Sequence, residues 1–232
     1  SCEEYRHRVI QMGEQPSRVF DVGSLGVENI KAVPLMTKDE LEASLDFKID
    51  TQTILVTYHP VTLGGDPAKD IREFLDALDQ FKDLKVIFTM PNSDTGRDAI
   101  ALAVKNYVEK HSNSAKAYTS LGLKRYLSTL QFVKAAVGNS SSGIIEVPSF
   151  GIPTLNIGDR QKGRLASKSV VNCGTSKGEV IVGLKLCLSE EMQKAAKTYE
   201  NPYAKPDTAN LIYQELKNIE LAGLNLKTFY DL

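Results

Sequence analysis

The chain has 232 residues, 42% hydrophobic and 25% charged, enough for one large domain or a domain and a half with a real core, which excludes disordered and fibrous classes. Its 28 basic and 29 acidic residues leave a formal charge of -1, so no global positive field draws it to nucleic acid or an anionic membrane, and any charged ligand must be held locally. No apolar run approaches the roughly 18 residues of a membrane helix, the N-terminus has no signal-peptide core, and three widely spaced cysteines (Cys2, Cys173, Cys187) suggest neither a disulfide framework nor a metal pair, so a soluble protein of the reducing cytoplasm is expected.

Residues 1–48 hold one helical pattern (Tyr5, Val9, Met12), a short strand Arg18-Val-Phe-Asp-Val22 and a glycine-containing loop. That is too little to bury its own apolar side chains, so the head is expected to need a partner. From Thr53 onward short apolar runs alternate with helical patterns, the signature of parallel strands joined by crossover helices. The run Thr53-Ile-Leu-Val-Thr-Tyr58 reads as a buried strand ending at His59-Pro60. After the Gly64-Gly65 break, Asp66 is placed to cap a helix that begins at Pro67 and buries Ile71, Phe74, Leu75, Leu78 and Phe81. Strands are predicted at Lys85–Thr89, weakly at Ala115–Ser120, at Ala135–Val137, at Pro153–Ile157 and at Lys168–Asn172. The intervening helices carry Ile100, Val104, Tyr107 and Val108, then Tyr126, Leu127, Leu130 and Val133, and one long helix is predicted from about Lys177 to Lys197. The tail follows the loop Asn201–Pro206 with a capping Asp207 and a final helix; no strand comes after it, so it is expected to pack on something other than the main sheet.

In open parallel sheets ligands bind beyond the carboxyl ends of the strands, which directs attention to four loops. Gly138-Asn-Ser-Ser-Ser-Gly143 precedes the helical pattern Ile144–Val147: small residues, three hydroxyls and a helix N-terminus suit a phosphate, and the same residues equally make a plain capping turn. The spacing matches neither GxxxxGKS nor GxGxxG. Glu146, placed in the first helical turn, either complements the helix dipole or accepts hydrogen bonds from a sugar diol. In Gly158-Asp-Arg-Gln-Lys-Gly-Arg164, Arg160 and Arg164 either neutralise a diphosphate or belong to a solvated basic loop. His59, at a strand end and stiffened by Pro60, either donates to a phosphate or acts on a proton, or is structural. Ser93 and Asp94 in the Pro91–Gly96 loop read as helix caps, and no His, Cys and carboxylate spacing indicates a metal.

Taken in order, His59-Pro-Val-Thr62, Pro91-Asn-Ser-Asp-x-Gly96, Gly138-Asn-Ser-Ser-Ser-Gly143-x-x-Glu146, Phe150-Gly-x-Pro153 and Asn156-x-Gly158-x-Arg-Gln-x-Gly-Arg164 resemble the hydrolysing UDP-N-acetylglucosamine 2-epimerases of the sialic-acid pathway. The resemblance implies an α/β, Rossmann-like doubly wound parallel sheet, the C-terminal domain of a glycosyltransferase-B-type two-domain fold. Residues 1–48 would then be a remnant of the N-terminal domain and linker, 49–200 the UDP-binding domain, and 201–232 a helix crossing back toward the first domain. By the same resemblance UDP-GlcNAc is converted to N-acetylmannosamine and UDP by elimination and hydration, without a metal or redox cofactor, and the full-length enzyme is expected to be a homodimer. Carried over residue by residue, Ser140 and Ser141 with the helix N-terminus would hold the diphosphate, Gly143 would belong to the same UDP-binding loop, Glu146 would hold the ribose hydroxyls, Arg160 and more weakly Arg164 the phosphate charge, and His59 the phosphate or leaving group. The acids and bases for C2 are expected to lie outside this chain, which alone would be inactive. A UDP-sugar glycosyltransferase half and a non-catalytic UDP-sugar-binding module are the alternative expectations.

Overall fold

The computed structural model describes residues 1–61 and 65–232. Thr62 of the His59–Thr62 motif and Gly64 of the Gly64-Gly65 break lie outside them. The chain separates into two compact units, Ser1–Val33 with Asn201–Leu232, and Pro34–Glu200. Helices α1 (Glu3–Gln11) and α2 (Leu25–Ala32) belong to the first. The second contains α3 (Lys38–Leu45), β1 (Thr53–Thr57), α4 (Pro67–Leu78), β2 (Lys85–Thr89), α5 (Arg97–Lys110), β3 (Ala115–Tyr118), α6 (Gly122–Leu130), β4 (Ala135–Gly138), α7 (Ser142–Ile145), β5 (Thr154–Ile157), β6 (Val170–Cys173), α8 (Lys177–Leu188) and α9 (Glu190–Ala196). The last helix, α10 (Thr208–Asn218), is part of the first unit.

Among the described residues six strands form one parallel sheet, in the order β3-β2-β1-β4-β5-β6. Chain order reverses between β1 and β4, so the loops leaving these two neighbours run to opposite sides and open a crevice at their carboxyl ends. This is the expected α/β Rossmann-like doubly wound sheet. Alternation along β1 sorts the core by face. Ile54, Val56 and Tyr58 join Phe74 and Leu78 of α4, Ile100 and Val104 of α5, and Val180 and Leu184 of α8 in one buried cluster. Leu55 is also buried and points the other way, to the face where Tyr126 of α6 and Gly143 of α7 lie. Helix α4 starts as its sequence dictates: Asp66 accepts from the N–H groups of Ala68 and Lys69, with Pro67 in the first helical position.

Three local expectations change. Helix α3 was not anticipated, although Thr37 and Glu40 form a reciprocal capping box, a signal present in the sequence as Thr-x-x-Glu. It places residues 34–48, which composition had grouped with the head, in the unit that contains the sheet. The segment predicted as strand Arg18–Val22 is no strand; a single 3-10 turn, Pro16–Arg18, runs into irregular chain. It pairs with no strand among the described residues, and part of its backbone is satisfied by Arg6, whose Nε donates to Val19 O at 2.7 Å and Nη2 to Pro16 O at 3.1 Å. The long helix predicted over Lys177–Lys197 breaks at Ser189, whose extended backbone (ψ 146°) ends α8 and whose hydroxyl caps α9 by accepting from Met192 N–H.

Head and tail of the chain are hydrogen-bonded to each other within the first unit. Ser24 N–H donates to Tyr203 O (3.1 Å), Ala209 N–H to Glu28 Oε2 (2.8 Å) and Tyr230 N–H to Gly13 O (2.9 Å). Asp21, its side chain almost wholly buried, is paired with Lys205 at 2.6 Å. The final helix packs against α2. Phe20, Leu25, Leu216, Leu221 and Phe229 of this unit remain exposed.

Candidate functional site

His59 and Arg160 of the second unit meet beyond the carboxyl ends of β1 and β5 through Asn139. This residue, 0% exposed, follows β4 directly. Its Oδ1 accepts from His59 N–H at 2.7 Å and its Nδ2 donates to His59 O at 2.8 Å, so one amide side chain fixes both backbone groups of a residue 80 positions away. Its own carbonyl accepts from Gln161 Nε2 at 2.8 Å and from Arg160 Nη1 at 3.2 Å. His59 and Arg160, which the sequence placed on separate loops, are thus attached to one residue that sequence reasoning passed over. Gln161, 4% exposed, was missed as well, and its Oε1 is buried without a hydrogen-bond partner among the described residues.

Gly138 makes this convergence sterically possible. Its φ of 131° lies in the region that disfavours side chains, and an added Cβ would fall 2.0 Å from Thr57 O. The β1 and β4 backbones can approach so closely only with glycine there, and Asn139 N–H then extends the pairing to Thr57 O at 3.2 Å. Gly143 serves another close approach: a Cβ would meet Thr154 Cγ2 at 2.8 Å, while Thr154 Oγ1 donates to Gly143 O at 2.8 Å, holding α7 on β5.

Helix α7 is a single turn, Ser142–Ile145, with Ser141 at its N-cap and Ser140 one residue earlier. Glu146 therefore stands at the C-terminal end of that turn, not in the first turn of a longer helix. The expected dipole role is overturned: four residues sum too few peptide dipoles, and the carboxylate is at the wrong end to benefit. What the loop retains is a set of hydroxyl and amide donors; Ser140 Oγ itself accepts from Ser142 N–H at 3.4 Å. A small pocket is lined by Thr57, Tyr126, Gly138, Ser140, Gly143 and Thr154.

Electrostatics differ across the cluster. Burial holds the His59 imidazole below its ordinary pKa, and the positive charge of Arg160 adds to this, against smaller opposing effects of Asp94 and Asn92. Nδ1 of the ring accepts from Asn92 N–H at 3.2 Å, so the proton of the neutral ring sits on Nε2. Burial raises the Glu146 carboxyl, the Ser142 hydroxyl pulls it partly back, and Oε2 is buried with no hydrogen-bond partner among the described residues. Arg160 is half-buried, whereas Arg164 is exposed and its main-chain N–H donates to Gln161 O at 3.2 Å. No hydrogen bond or ion pair of the described residues brings the Arg164 guanidinium to His59 or Asn139. Asp94, read from sequence as a helix cap, instead accepts from Asn92 Nδ2 at 2.7 Å. Among the described residues no group of three or more His, Cys, Asp or Glu side chains is placed to hold a metal, and no helix is long and apolar enough to cross a membrane.

The arrangement sets hydrogen-bond donors and one guanidinium near a half-buried carboxylate, a chemistry suited to an anion that carries a hydroxylated neighbour. Residues 1–217 match the family model described as UDP-N-acetylglucosamine 2-epimerase. The chain is 38% identical over 234 residues to the GDP/UDP-N,N'-diacetylbacillosamine 2-epimerase (hydrolyzing) of Campylobacter jejuni, covering 100% of this chain and 60% of that protein. It is 36% identical over 235 residues to the polysialic acid biosynthesis protein P7 of Escherichia coli, covering 100% of this chain and 59% of that one. Among solved structures, the S. aureus MnaA-UDP co-structure superposes with a TM-score of 0.73 at 16% identity over 100% of this chain and 62% of that one. A UDP-GlcNAc 2-epimerase from Neisseria meningitidis bound to UDP-GlcNAc gives a TM-score of 0.67 at 16% identity over 94% of this chain and 60% of that one. The fold is that of the glycosyltransferase-B-type epimerases, and the chain spans about 60% of the length of the relatives it matches.

Proposed function

The chain belongs to the UDP-N-acetylglucosamine 2-epimerase family, and from that premise we propose that residues 34–200 form the side of a hydrolysing 2-epimerase that holds the uridine diphosphate of a UDP-linked 2-acetamido sugar. The observation that carries this is the binding of His59 and Arg160 to Asn139, which sets an imidazole and a guanidinium beside the serine loop at the sheet's switch point. In this reading the backbone and hydroxyls of Ser140 and Ser141 hold the diphosphate. Gly138 and Gly143 allow the loop its tight course, and Arg160 neutralises phosphate charge. Glu146 accepts from the ribose hydroxyls. Arg164, exposed on the same loop, ranks behind Arg160.

The reaction removes the C2 proton of the sugar and breaks the C1–O bond, with the electron pair departing on the diphosphate as UDP. Water then adds across the resulting C1=C2 bond, its hydroxyl to C1 and a proton to C2 from the opposite face, which releases the free 2-epimeric sugar. His59 donates Nε2–H toward the departing oxygen, and Arg160 and the serine donors stabilise the charge that builds there, lowering the elimination barrier. The residues that act on C2 are supplied from outside residues 34–200, so this part alone binds UDP and turns over little substrate.

UDP-GlcNAc is the first substrate choice. The 38% identity to a protein named for N,N'-diacetylbacillosamine favours a second, a UDP-linked 2,4-diacetamido sugar. Calorimetric titration of the 232-residue chain with UDP tests the site: Arg160→Ala is expected to weaken binding roughly 10- to 100-fold, the worth of a charge-assisted hydrogen bond. Undetectable binding by the unsubstituted chain, or an unchanged affinity in the variant, overturns the assignment. Incubation with each sugar nucleotide then decides the substrate, and transfer to a sugar acceptor instead of water returns the glycosyltransferase alternative.

A further inference from the structure

Tyr126, on α6, has no part in the diphosphate site as described, yet its phenol reaches into it. Its hydroxyl donates to Ser142 Oγ at 2.7 Å, and its ring lines the same small pocket as Ser140 and Gly143. Ser142 is the third serine of the loop, the one to which the proposed function gives no ligand contact. Its hydroxyl faces Glu146, whose Oε2 is buried and has no hydrogen-bond partner among the described residues.

A serine hydroxyl has one proton and two lone pairs. Once a lone pair is taken by the Tyr126 phenol, the rotor is restricted and its single proton is free to point at the carboxylate. The phenol is a dependable donor, because burial pushes Tyr126 up to about 12 and it stays protonated throughout the physiological range. Glu146 needs such help: burial favours its protonated form, and a protonated carboxyl offers one fewer acceptor to a diol.

We propose that Tyr126 and Ser142 are positioning residues which, through the relay Tyr126 O–H to Ser142 Oγ and Ser142 O–H to Glu146, fix the orientation of the Glu146 carboxylate for a vicinal diol of the bound nucleotide. This rests on the proposed function and adds to it a device for ribose discrimination. Neither residue touches the ligand; both act through Glu146. The relay brings together a residue of α6 and two of the β4–α7 segment, 16 positions apart along the chain between Tyr126 and Ser142.

The test uses the 232-residue chain and two ligands, UDP and 2′,3′-dideoxyuridine diphosphate, titrated calorimetrically into the unsubstituted protein and the Tyr126→Phe, Ser142→Ala and doubly substituted forms. Tyr126→Phe and Ser142→Ala are each expected to weaken UDP roughly fivefold, the worth of one neutral hydrogen bond, and to leave the dideoxy ligand unchanged. The double variant is expected to lose no more than the worse single one, because both break one chain of hydrogen bonds. Equal losses for both ligands show that the pair merely supports the loop, and additive losses show two unconnected effects; either overturns the relay. Failure of the unsubstituted protein to bind UDP removes the proposed function and the relay with it. UDP binding without discrimination against the dideoxy ligand removes the relay alone.

Discussion

Replacing Asn139 by alanine tests whether one amide side chain ties the β1 and β4 loops together. The substitution removes two short hydrogen bonds, 2.7 and 2.8 Å, and leaves the N–H and C=O of half-buried His59 without their partner. At about 1–2 kcal/mol for each group stranded in this way, the expected loss of stability is roughly 2–4 kcal/mol. For a chain of this size that corresponds to a fall in Tm of about 5–15 °C, read by thermal unfolding and by the urea midpoint. Asn139→Asp is the decisive control. It keeps an acceptor for His59 N–H but turns a second oxygen toward the His59 carbonyl and buries a charge, so it is expected to be no more stable than the alanine variant at neutral pH. The contacts of Arg160 and Gln161 are to the main-chain carbonyl of residue 139 and survive both changes, so UDP affinity is expected to fall only by the His59 contribution. An alanine variant within about 0.5 kcal/mol of the parent, or an aspartate variant clearly more stable than alanine, would refute the clamp, since surface-like positions alone are that tolerant.

Gly138→Ala should cost about 3 kcal/mol or more and is checked by the same unfolding assay, because its Cβ would meet Thr57 O at 2.0 Å at a φ of 131°. The carboxyl of Glu146 has a folded pKa above its ordinary 4.5, so the folded state binds the proton more readily than the unfolded one and stability falls as pH rises through the raised value. Glu146→Gln is therefore expected to raise the urea midpoint at pH 7 and to lose that advantage below pH about 4.5, the ordinary value. The lowered pKa of His59 works the other way: stability is present above the ordinary 6.5 and is lost as pH falls through the depressed value. If His59 meets a phosphate, UDP binding near pH 6 should take up a proton, measured by calorimetry in buffers of different ionisation heat, and His59→Gln should abolish the uptake.

Elements whose signals lie within a few residues were legible from sequence. The apolar runs at Thr53–Thr57 and Lys85–Thr89, the cap at Asp66 and the glycine-serine loop after β4 all stand where their own neighbours in the chain put them. Thr37 and Glu40 carried a local signal too, though it went unread. The Arg18–Val22 stretch has strand composition, yet it pairs with no strand among the described residues. Glu146 was found by its position in a motif, but whether it stood in a first turn or beyond a last one depended on where α7 stopped.

By itself the sequence determined the alternation of strand and helix, the chemistry available in each loop and the family likeness, since periodicity, capping and motif spacing are properties of neighbouring residues. Tertiary structure decided the rest. The reversal of strand order between β1 and β4 brings Asn139 to His59, the packing of α6 brings Tyr126 to Ser142, and the course of the β5 loop sets Arg160 rather than Arg164 against the site. These contacts join residues far apart in the chain, and no local preference encodes them: they exist because burying both faces of one parallel sheet leaves these loop ends a single place to meet.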